Sequence, residues 1–124
     1  MKKHSKEIIV GWHSNLIAES GGIEGIRDAH LLDLSINSPF HTFGGQYLYP
    51  TLEAMAAHLA FSLVKSHPFL DGNKRIGTLA MMAFLELNGH PITCTDGELE
   101  KLGWGLADGS ITEQELLEWI IAHN

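Results

Sequence analysis

The sequence predicts an all-α domain, a bundle of about six helices with a short β-hairpin. Its 124 residues have the size of one domain with one core, so we expect a single domain over residues 1–124. Apolar residues recur at helical spacing in segment after segment. Two segments, 52–64 and 76–87, are apolar on nearly all sides, which is typical of central helices. We expect these two to pack antiparallel, with the other helices around them.

Local signals mark the first two helices. The first is predicted over 5–19, where apolar residues are spaced as on one helix face, and it stops at Gly21-Gly22. Asp28 is expected to cap a short second helix that runs through Ile36 and ends at Ser38-Pro39.

The middle of the chain combines the two central helices with the only β signal. Thr51 is expected to cap the third helix, which ends near Ser66, and the fourth helix spans about 73–87. Between the second and third helices, the segment 42–50 reads TFGGQYLYP. Its Gly44-Gly45 pair between aromatic residues indicates a hairpin turn.

The C-terminal region carries two capping boxes, in which a Thr side chain and a Glu side chain satisfy each other's backbone N–H groups. Thr95 with Glu98 predicts a helix over 96–107, and Thr112 with Glu115 predicts another over 112–122. We expect three tryptophans to pack within this bundle, although an exposed one could anchor a partner: Trp12, Trp104 and Trp119.

Composition excludes several functional classes. The formal net charge of −7 disfavours direct binding to nucleic acid or to an anionic membrane. Cys94 is the only cysteine, so no intrachain disulfide forms, and a reducing, cytoplasmic location fits best. We interpret Cys94 as a small semi-buried residue. The eight histidines are scattered without metal-binding spacing, which disfavours a metal-storage function.

The connection between the two central helices reads HPFLDGNKR and is unusually polar. Pro68 disfavours helix at His67, and Gly72 permits a tight turn. The first amides of the fourth helix have no partners within the helix and lie at the positive end of its dipole, which suits a phosphate. Lys74 and Arg75 add positive charge there, although cations oppose the dipole by about 0.3–1 kcal/mol each. A bound anion would offset that conflict.

Each polar residue of this connection also has a structural alternative. Asp71 suits a divalent metal bound together with phosphate oxygens, but Asp71 or Asn73 alone could simply cap the fourth helix. His67 suits a general base for a hydroxyl group, but a histidine at a helix end is often only structural. Lys74 and Arg75 could be solvated surface. Because all of them occur at one junction, we favour the functional interpretation.

The connection resembles the signature of the Fic family, His-x-Phe-x-Asp/Glu-Gly-Asn-Gly-Arg-x-x-Arg, and more closely its Doc (death-on-curing) branch. Other blocks are similar to Doc proteins in the same order along the chain: GGIEGIRD, PFHTFGGQYLYPTL and FLELNGH. The resemblance covers residues 8–90. It implies an α-helical Fic fold and Mg²⁺-dependent transfer of a phosphate-containing group from ATP to a protein hydroxyl.

The resemblance also implies a role for each residue of the signature. His67 would be the general base, Phe69 a core anchor and Asp71 the metal ligand. The nucleotide and phosphate site would be formed by Gly72, Asn73, Lys74 and Arg75, with the first two building an anion hole. The segment 42–50 aligns with a flap that docks a target strand through its main chain, and the docking residues would be Thr42, Phe43, Gly44, Gly45 and Gln46.

Two positions depart from the general Fic pattern. Lys74 replaces the second glycine, and Thr78 stands in place of the final arginine. Both departures are shared with Doc proteins and favour transfer of the γ-phosphate over transfer of AMP. The resemblance therefore implies a kinase-like toxin that modifies a Ser or Thr of elongation factor Tu and is restrained by an antitoxin whose disordered tail folds onto it. AMP transfer and a catalytically silent binding module are the alternatives.

The segment SGGIEG at 20–25 matches an inhibitory motif that regulated Fic proteins carry on a helix. Two adjacent glycines make a helix here unfavourable by about 1 kcal/mol each. We interpret this match as a coincidence, and the following Arg27 and Asp28 as an ion pair and cap at a helix start.

Overall fold

The computed structural model describes residues 1–124, which form six α-helices, one short 3₁₀-helix at Ser38–Phe40 and a two-stranded antiparallel hairpin. The helices, in chain order, are α1 (Lys6–Ser20), α2 (Ala29–Asn37), α3 (Leu52–Ser66), α4 (Asn73–Leu87), α5 (Asp96–Asp108) and α6 (Glu113–His123). The predicted all-α class with a hairpin is confirmed. No helix combines the length and the apolarity that a membrane span requires.

Side-chain caps begin five of the six helices, and four of these caps were predicted. In each case a side-chain oxygen accepts a hydrogen bond from a backbone N–H of the first turn, which otherwise has no partner. Both capping boxes are complete. The capping residues are Ser5, Asp28, Thr51, Thr95 and Thr112, of which Ser5 was not predicted.

The centre of the bundle is the pair α3 and α4, which supply more than half of the buried core cluster. The chain reverses between them over the short connection 67–72, so the two helices run antiparallel as predicted. They approach closely at Gly77, where a Cβ atom would lie 2.7 Å from a methyl group of Val64. The connection is therefore held at one end of a rigid helix pair.

The hairpin consists of β1 (Thr42–Phe43) and β2 (Gln46–Tyr47), joined by two glycines with φ of 60° and 80°. Two consecutive positive φ angles are typical of a type I′ turn, so the predicted hairpin turn is confirmed. Every residue of both strands is exposed, and the Phe43 side chain is 81% exposed. The hairpin thus presents its main chain and an aromatic side chain to solvent.

One expectation about the core is wrong. Trp12 and Trp119 are half-buried and pack against the core cluster, but Trp104 is 57% exposed. Its position on α5 places it beside Lys74 of α4, whose ammonium group lies 3.9 Å from the centre of the indole ring. The exposed ring is therefore partly covered by a cation rather than by the bundle.

Candidate active site

His67 ends α3 in an unusual backbone conformation. Its φ of 50° and ψ of 58° are left-handed, and it is the only residue other than glycine with a positive φ. Pro68, which follows, prevents continuation of the helix, as the sequence predicted. The next residue, Phe69, is 1% exposed and anchors the connection in the core, which confirms its predicted structural role. His67 itself remains exposed.

The buried side chain of Asn73 closes the connection on itself. Its Oδ1 accepts a hydrogen bond from the backbone N–H of Phe69, and its Nδ2 donates to the Phe69 carbonyl, each over 3.0 Å. The N-cap of α4 is Gly72, with φ of 75°, and no side chain caps the helix. The alternative in which Asp71 or Asn73 serves as that cap is therefore wrong.

The start of α4 opens onto a polar depression of about 150 Å³. Because no side chain caps the helix, the backbone N–H groups of its first turn have no side-chain partner, and they lie at the positive end of the helix dipole. No hydrophobic residue lines the depression. The lining residues are those that the sequence singled out: His67, Asp71, Gly72, Asn73, Lys74 and Arg75. The side chain of Asn73 is turned to Phe69, so its contribution to an anion site would come from its backbone N–H.

Asp71 is held by two backbone amides. The N–H of Ile23 donates to Oδ2 over 3.1 Å, and the N–H of Gly72 donates to Oδ1 over 2.8 Å. These two bonds, in that order, hold the pKa of Asp71 below its usual range, and the charges of Arg75 and Lys74 lower it further. The carboxylate is therefore ionised at neutral pH.

The donor set at Asp71 fits Mg²⁺ bound together with a nucleotide. No three His, Cys, Asp or Glu side chains lie close enough to form a complete metal cage. Mg²⁺ in phosphate-transferring sites is typically held by one or two carboxylates and by phosphate oxygens. A carboxylate accepts about four hydrogen bonds or metal contacts, and two are already used, so Asp71 retains capacity for a metal.

Arg75 is oriented by the last residue of α1 and by the first residue of the loop that follows it. Its Nη1 donates to the Ser20 hydroxyl over 2.5 Å, and its Nη2 donates to the Gly21 carbonyl over 3.3 Å. A guanidinium group has five N–H donors, so these two contacts leave others available for phosphate oxygens. The loop between α1 and α2 thus holds the side chain at the edge of the depression.

Two positions depart from the Fic pattern, Lys74 and Thr78, and they differ in whether their side chains can contact a ligand in the depression. Lys74 lines it, while its ammonium group rests over Trp104. Thr78 is 6% exposed, and its hydroxyl lies within hydrogen-bond distance of the carbonyls of Lys74 and Arg75, to which it donates. Because that hydroxyl is engaged within its own helix, Thr78 offers nothing to a phosphate.

A larger cavity of about 510 Å³ adjoins the depression. Lys74 and Arg75 line both spaces, and the larger one extends between α4 and α5 past Leu16, Leu99 and Trp104. Its size is in the usual range for small-molecule sites. A ligand with its phosphates at the start of α4 therefore has room beside it for further groups.

The segment that resembles an inhibitory motif is not helical. Helix α1 ends at Ser20, and Gly21 and Gly22 have φ of 85° and 121°. The carboxylate of Glu24 accepts a hydrogen bond from the Ser14 hydroxyl of α1 and does not line the depression. The prediction that no helix passes through this segment is confirmed.

The loop between α1 and α2 nevertheless pairs with the signature connection through its main chain. The N–H of Leu70 donates to the Gly25 carbonyl over 3.0 Å, and the N–H groups of Arg27 and Asp28 donate to the Pro68 carbonyl over 2.8 and 3.0 Å. No local sequence pattern signals these contacts, because the paired residues lie at least 40 positions apart in the chain (68 − 28 = 40 for Asp28 and Pro68).

Arg27 is a residue whose contacts the sequence interpretation missed. The Asp28 side chain caps α2 by accepting from the Leu31 N–H over 3.0 Å, as predicted. The predicted ion pair between Arg27 and Asp28 is wrong. Arg27 instead donates from Nε to the His67 carbonyl over 2.5 Å and from Nη2 to the Ser66 carbonyl over 2.8 Å.

His13 of α1 is a second residue whose contacts the sequence interpretation missed. Its side chain is buried, its ring stacks on Phe69 with 3.7 Å between ring centres, and its Nε2 lies 2.7 Å from the Asp71 carbonyl. Nε2 donates this bond, since a carbonyl accepts. The periodicity of α1 identifies position 13 as helical but gives no sign of a polar partner 58 residues away.

Comparison with known proteins agrees with this architecture. The model of the Fic/DOC family matches residues 3–85, which include the hairpin, α3, the polar connection and α4 up to Leu85. A curated protein named Toxin Doc, from Mycolicibacterium smegmatis, is 42% identical over 69 residues. That match covers 56% of this chain and 53% of the relative, so it spans about half of each protein. From the extent of the family match, the chain belongs to the Fic/DOC family.

Proposed function

We propose that this protein transfers the γ-phosphate of Mg²⁺-bound ATP to a Ser or Thr hydroxyl of a target protein. One observation carries the proposal: His67, Asp71 and Arg75 line one polar depression at the uncapped start of α4. Phosphoryl transfer requires a base for the attacking hydroxyl, a carboxylate for the metal ion, and cations and N–H donors for the phosphates. His67, Asp71, Arg75 and the first amides of α4 can supply these groups. Membership of the Fic/DOC family supports a group-transfer activity.

In the proposed reaction, the target hydroxyl attacks the γ-phosphorus while its proton passes to the imidazole of His67. The bond between the γ-phosphorus and the bridging oxygen breaks, and ADP leaves with that oxygen. The N–H groups at the start of α4, Lys74 and Arg75 face the developing negative charge, where fixed donors act most effectively. Asp71 would hold Mg²⁺, which neutralises phosphate charge when it is bound.

Lys74 and Thr78 are the reason for proposing transfer of the γ-phosphate and not of AMP. Lys74 brings a side chain and a positive charge to a position where AMP-transferring relatives have glycine. Thr78 is buried with its hydroxyl engaged in α4, so the site lacks the second arginine that those relatives use for phosphates. Both features support a site arranged around one terminal phosphate.

The proposed biological role is based on the similarity to the relative named Toxin Doc. We propose that this chain is the toxin of a toxin–antitoxin pair and acts in the cytoplasm. Its target is elongation factor Tu, and modification of that factor stops translation. The exposed hairpin supplies main-chain groups and Phe43 for docking an extended target segment. The cognate antitoxin restrains the toxin through a tail that folds on binding.

The test uses purified elongation factor Tu and ATP labelled at either the γ- or the α-phosphate. The proposal predicts Mg²⁺-dependent labelling of the factor from γ-labelled ATP and none from α-labelled ATP. Labelling from α-labelled ATP would instead establish AMP transfer. If neither form labels the factor or any protein of a bacterial lysate, the chain is a catalytically silent binding module.

A further inference from the structure

We propose that Arg27 is a positioning residue that holds His67 in its left-handed backbone conformation. This inference rests on the proposed function for the role of His67 as the base. The geometry that carries it does not depend on the reaction.

The conformation of His67 needs support. A left-handed residue that carries a side chain is strained, and such strain persists only where surrounding contacts determine it. His67 is exposed, so core packing does not supply those contacts. The residue also lies at the end of α3, where the last carbonyls lack partners within the helix.

The two side-chain bonds of Arg27 engage both peptide groups that flank the His67 Cα atom. The Ser66 carbonyl belongs to the peptide group before that atom, and the His67 carbonyl belongs to the one after it. Nη2 binds the first over 2.8 Å, and Nε binds the second over 2.5 Å. Since φ and ψ of His67 describe the relative rotation of these two groups, one planar guanidinium determines both angles.

The main chain of the same loop holds the next peptide group. The N–H groups of Arg27 and Asp28 both donate to the Pro68 carbonyl. The backbone on either side of His67 is therefore held by neighbouring atoms of one segment. That arrangement determines the direction of the Cα–Cβ bond, and with it the placement of the imidazole at the depression.

The positive charge of Arg27 is also electrostatically favourable where it lies. It lies at the carbonyl end of α3, where positive charge is favourable. Lysine would keep the charge, but its single ammonium group lacks the planar fork that binds two carbonyls at defined angles. Charge and geometry can therefore be separated by substitution.

The experiment compares Arg27→Gln and Arg27→Lys with wild type and with the control Lys6→Ala. Lys6 is also a cation that contacts the α2 region, through an ion pair with Asp33, but it lies outside the depression. Three properties are measured for each protein: urea unfolding, the NMR coupling constant between the amide and α protons of His67, and kcat and KM for ATP with elongation factor Tu.

We expect Arg27→Gln to lower kcat by about 10- to 100-fold, because small misplacements of a reacting group have effects of that size. KM for ATP should change by less than about twofold, since Arg27 is not placed to touch the nucleotide. The coupling constant of His67 should move away from its left-handed value. Arg27→Lys should recover part of kcat, and Lys6→Ala should match wild type.

Wild-type kcat and an unchanged coupling constant in Arg27→Gln would overturn the inference, as would global unfolding of both Arg27 variants. The NMR measurement needs no ATP. If wild type transfers no phosphate but Arg27→Gln still loses the left-handed conformation of His67, the proposed function fails while the assignment of Arg27 stands.

Discussion

The backbone N–H of Ile23 donates a hydrogen bond to the carboxylate of Asp71, although 48 residues separate them in the chain. The loop that carries Ile23 also binds Arg75 through the Gly21 carbonyl and the carbonyl of His67 through Arg27. Three residues of the signature are thus held by one loop outside it. No role at the site was predicted for this loop from the sequence, yet it contacts the side chains of Asp71 and Arg75 and the backbone carbonyl of His67.

Gly22→Ala tests the contact between this loop and Asp71. A Cβ atom at position 22 would lie 2.7 Å from Oδ2 of Asp71, and the φ of 121° disfavours any side chain. We expect phosphate transfer to fall at least about tenfold and to require more Mg²⁺, because the carboxylate is displaced. The measurement is the transfer rate as a function of Mg²⁺ concentration.

Gly89→Ala is the matched control for that variant. Gly89 has a φ of 78°, but a Cβ atom there would meet nothing within 4 Å. The control therefore carries backbone strain without a clash at the site, and it should retain its transfer rate. Equal Mg²⁺ dependence in both variants would show that the loop does not position Asp71.

Asn73→Ala tests whether this side chain stabilises the fold of the connection. The substitution leaves the buried N–H and carbonyl of Phe69 without their partners, each of which costs about 1–3 kcal/mol. We expect the free energy of unfolding in urea to fall by about 2–4 kcal/mol. Asn73→Asp keeps the acceptor for the Phe69 N–H but loses the donor, and it should also destabilise. A loss below about 0.5 kcal/mol for Asn73→Ala would contradict the contact's structural role.

The helices of this protein are predictable from local sequence because their signals are local. Thr51, Thr95 and Thr112 each bond to an amide three residues away, so the pattern of side chains contains the contact. The polar residues of the signature can also be recognised from the sequence, because they lie close together in the chain. What the sequence does not contain is the partner of Arg27. Its neighbour Asp28 offers an obvious opposite charge, but that carboxylate caps α2, and the guanidinium binds carbonyls about 40 residues away.

Lys74→Ala tests the contribution of the lysine that distinguishes this site from AMP-transferring relatives. Removing a fixed cation that faces developing charge should lower the γ-phosphate transfer rate by about 10²- to 10³-fold. Stability should change little, since an exposed cation–π contact with Trp104 contributes about 0.5–1 kcal/mol. Lys101→Ala, which removes an exposed lysine of α5 away from the depression, is the control and should leave the rate unchanged. Similar rates for both variants would remove Lys74 from the mechanism.

The contact between His123 and Glu98 predicts a pH dependence of stability. The Trp119 carbonyl accepts from Nδ1 over 2.7 Å, and the Glu98 carboxylate accepts from Nε2 over 3.2 Å, which requires a doubly protonated ring. The bond to the Trp119 carbonyl is the largest cause that raises the pKa of His123 above 6.5; burial opposes it, and the bond and charge of Glu98 add to it. A raised pKa in the folded state stabilises the protein fully below the unfolded value and loses that effect as pH rises through the folded value.

His123→Gln measures this contribution. The difference in unfolding free energy between wild type and the variant should be largest below pH 6.5, the ordinary pKa of histidine, and should shrink as the pH rises above it. Urea unfolding at several pH values gives that difference directly. A difference that stays constant over this range would show that the charged form of His123 is not stabilised by the fold.

The central claim is that His67 activates a hydroxyl for transfer of the γ-phosphate. The most direct measurement is the intact mass of elongation factor Tu after incubation with Mg²⁺-ATP and either wild type or His67→Ala. We expect one phosphate-sized increase with wild type and no change with His67→Ala, whose circular dichroism spectrum and urea unfolding should show an intact fold because the substituted side chain is exposed. An AMP-sized increase with wild type, or full modification by His67→Ala, would contradict the account.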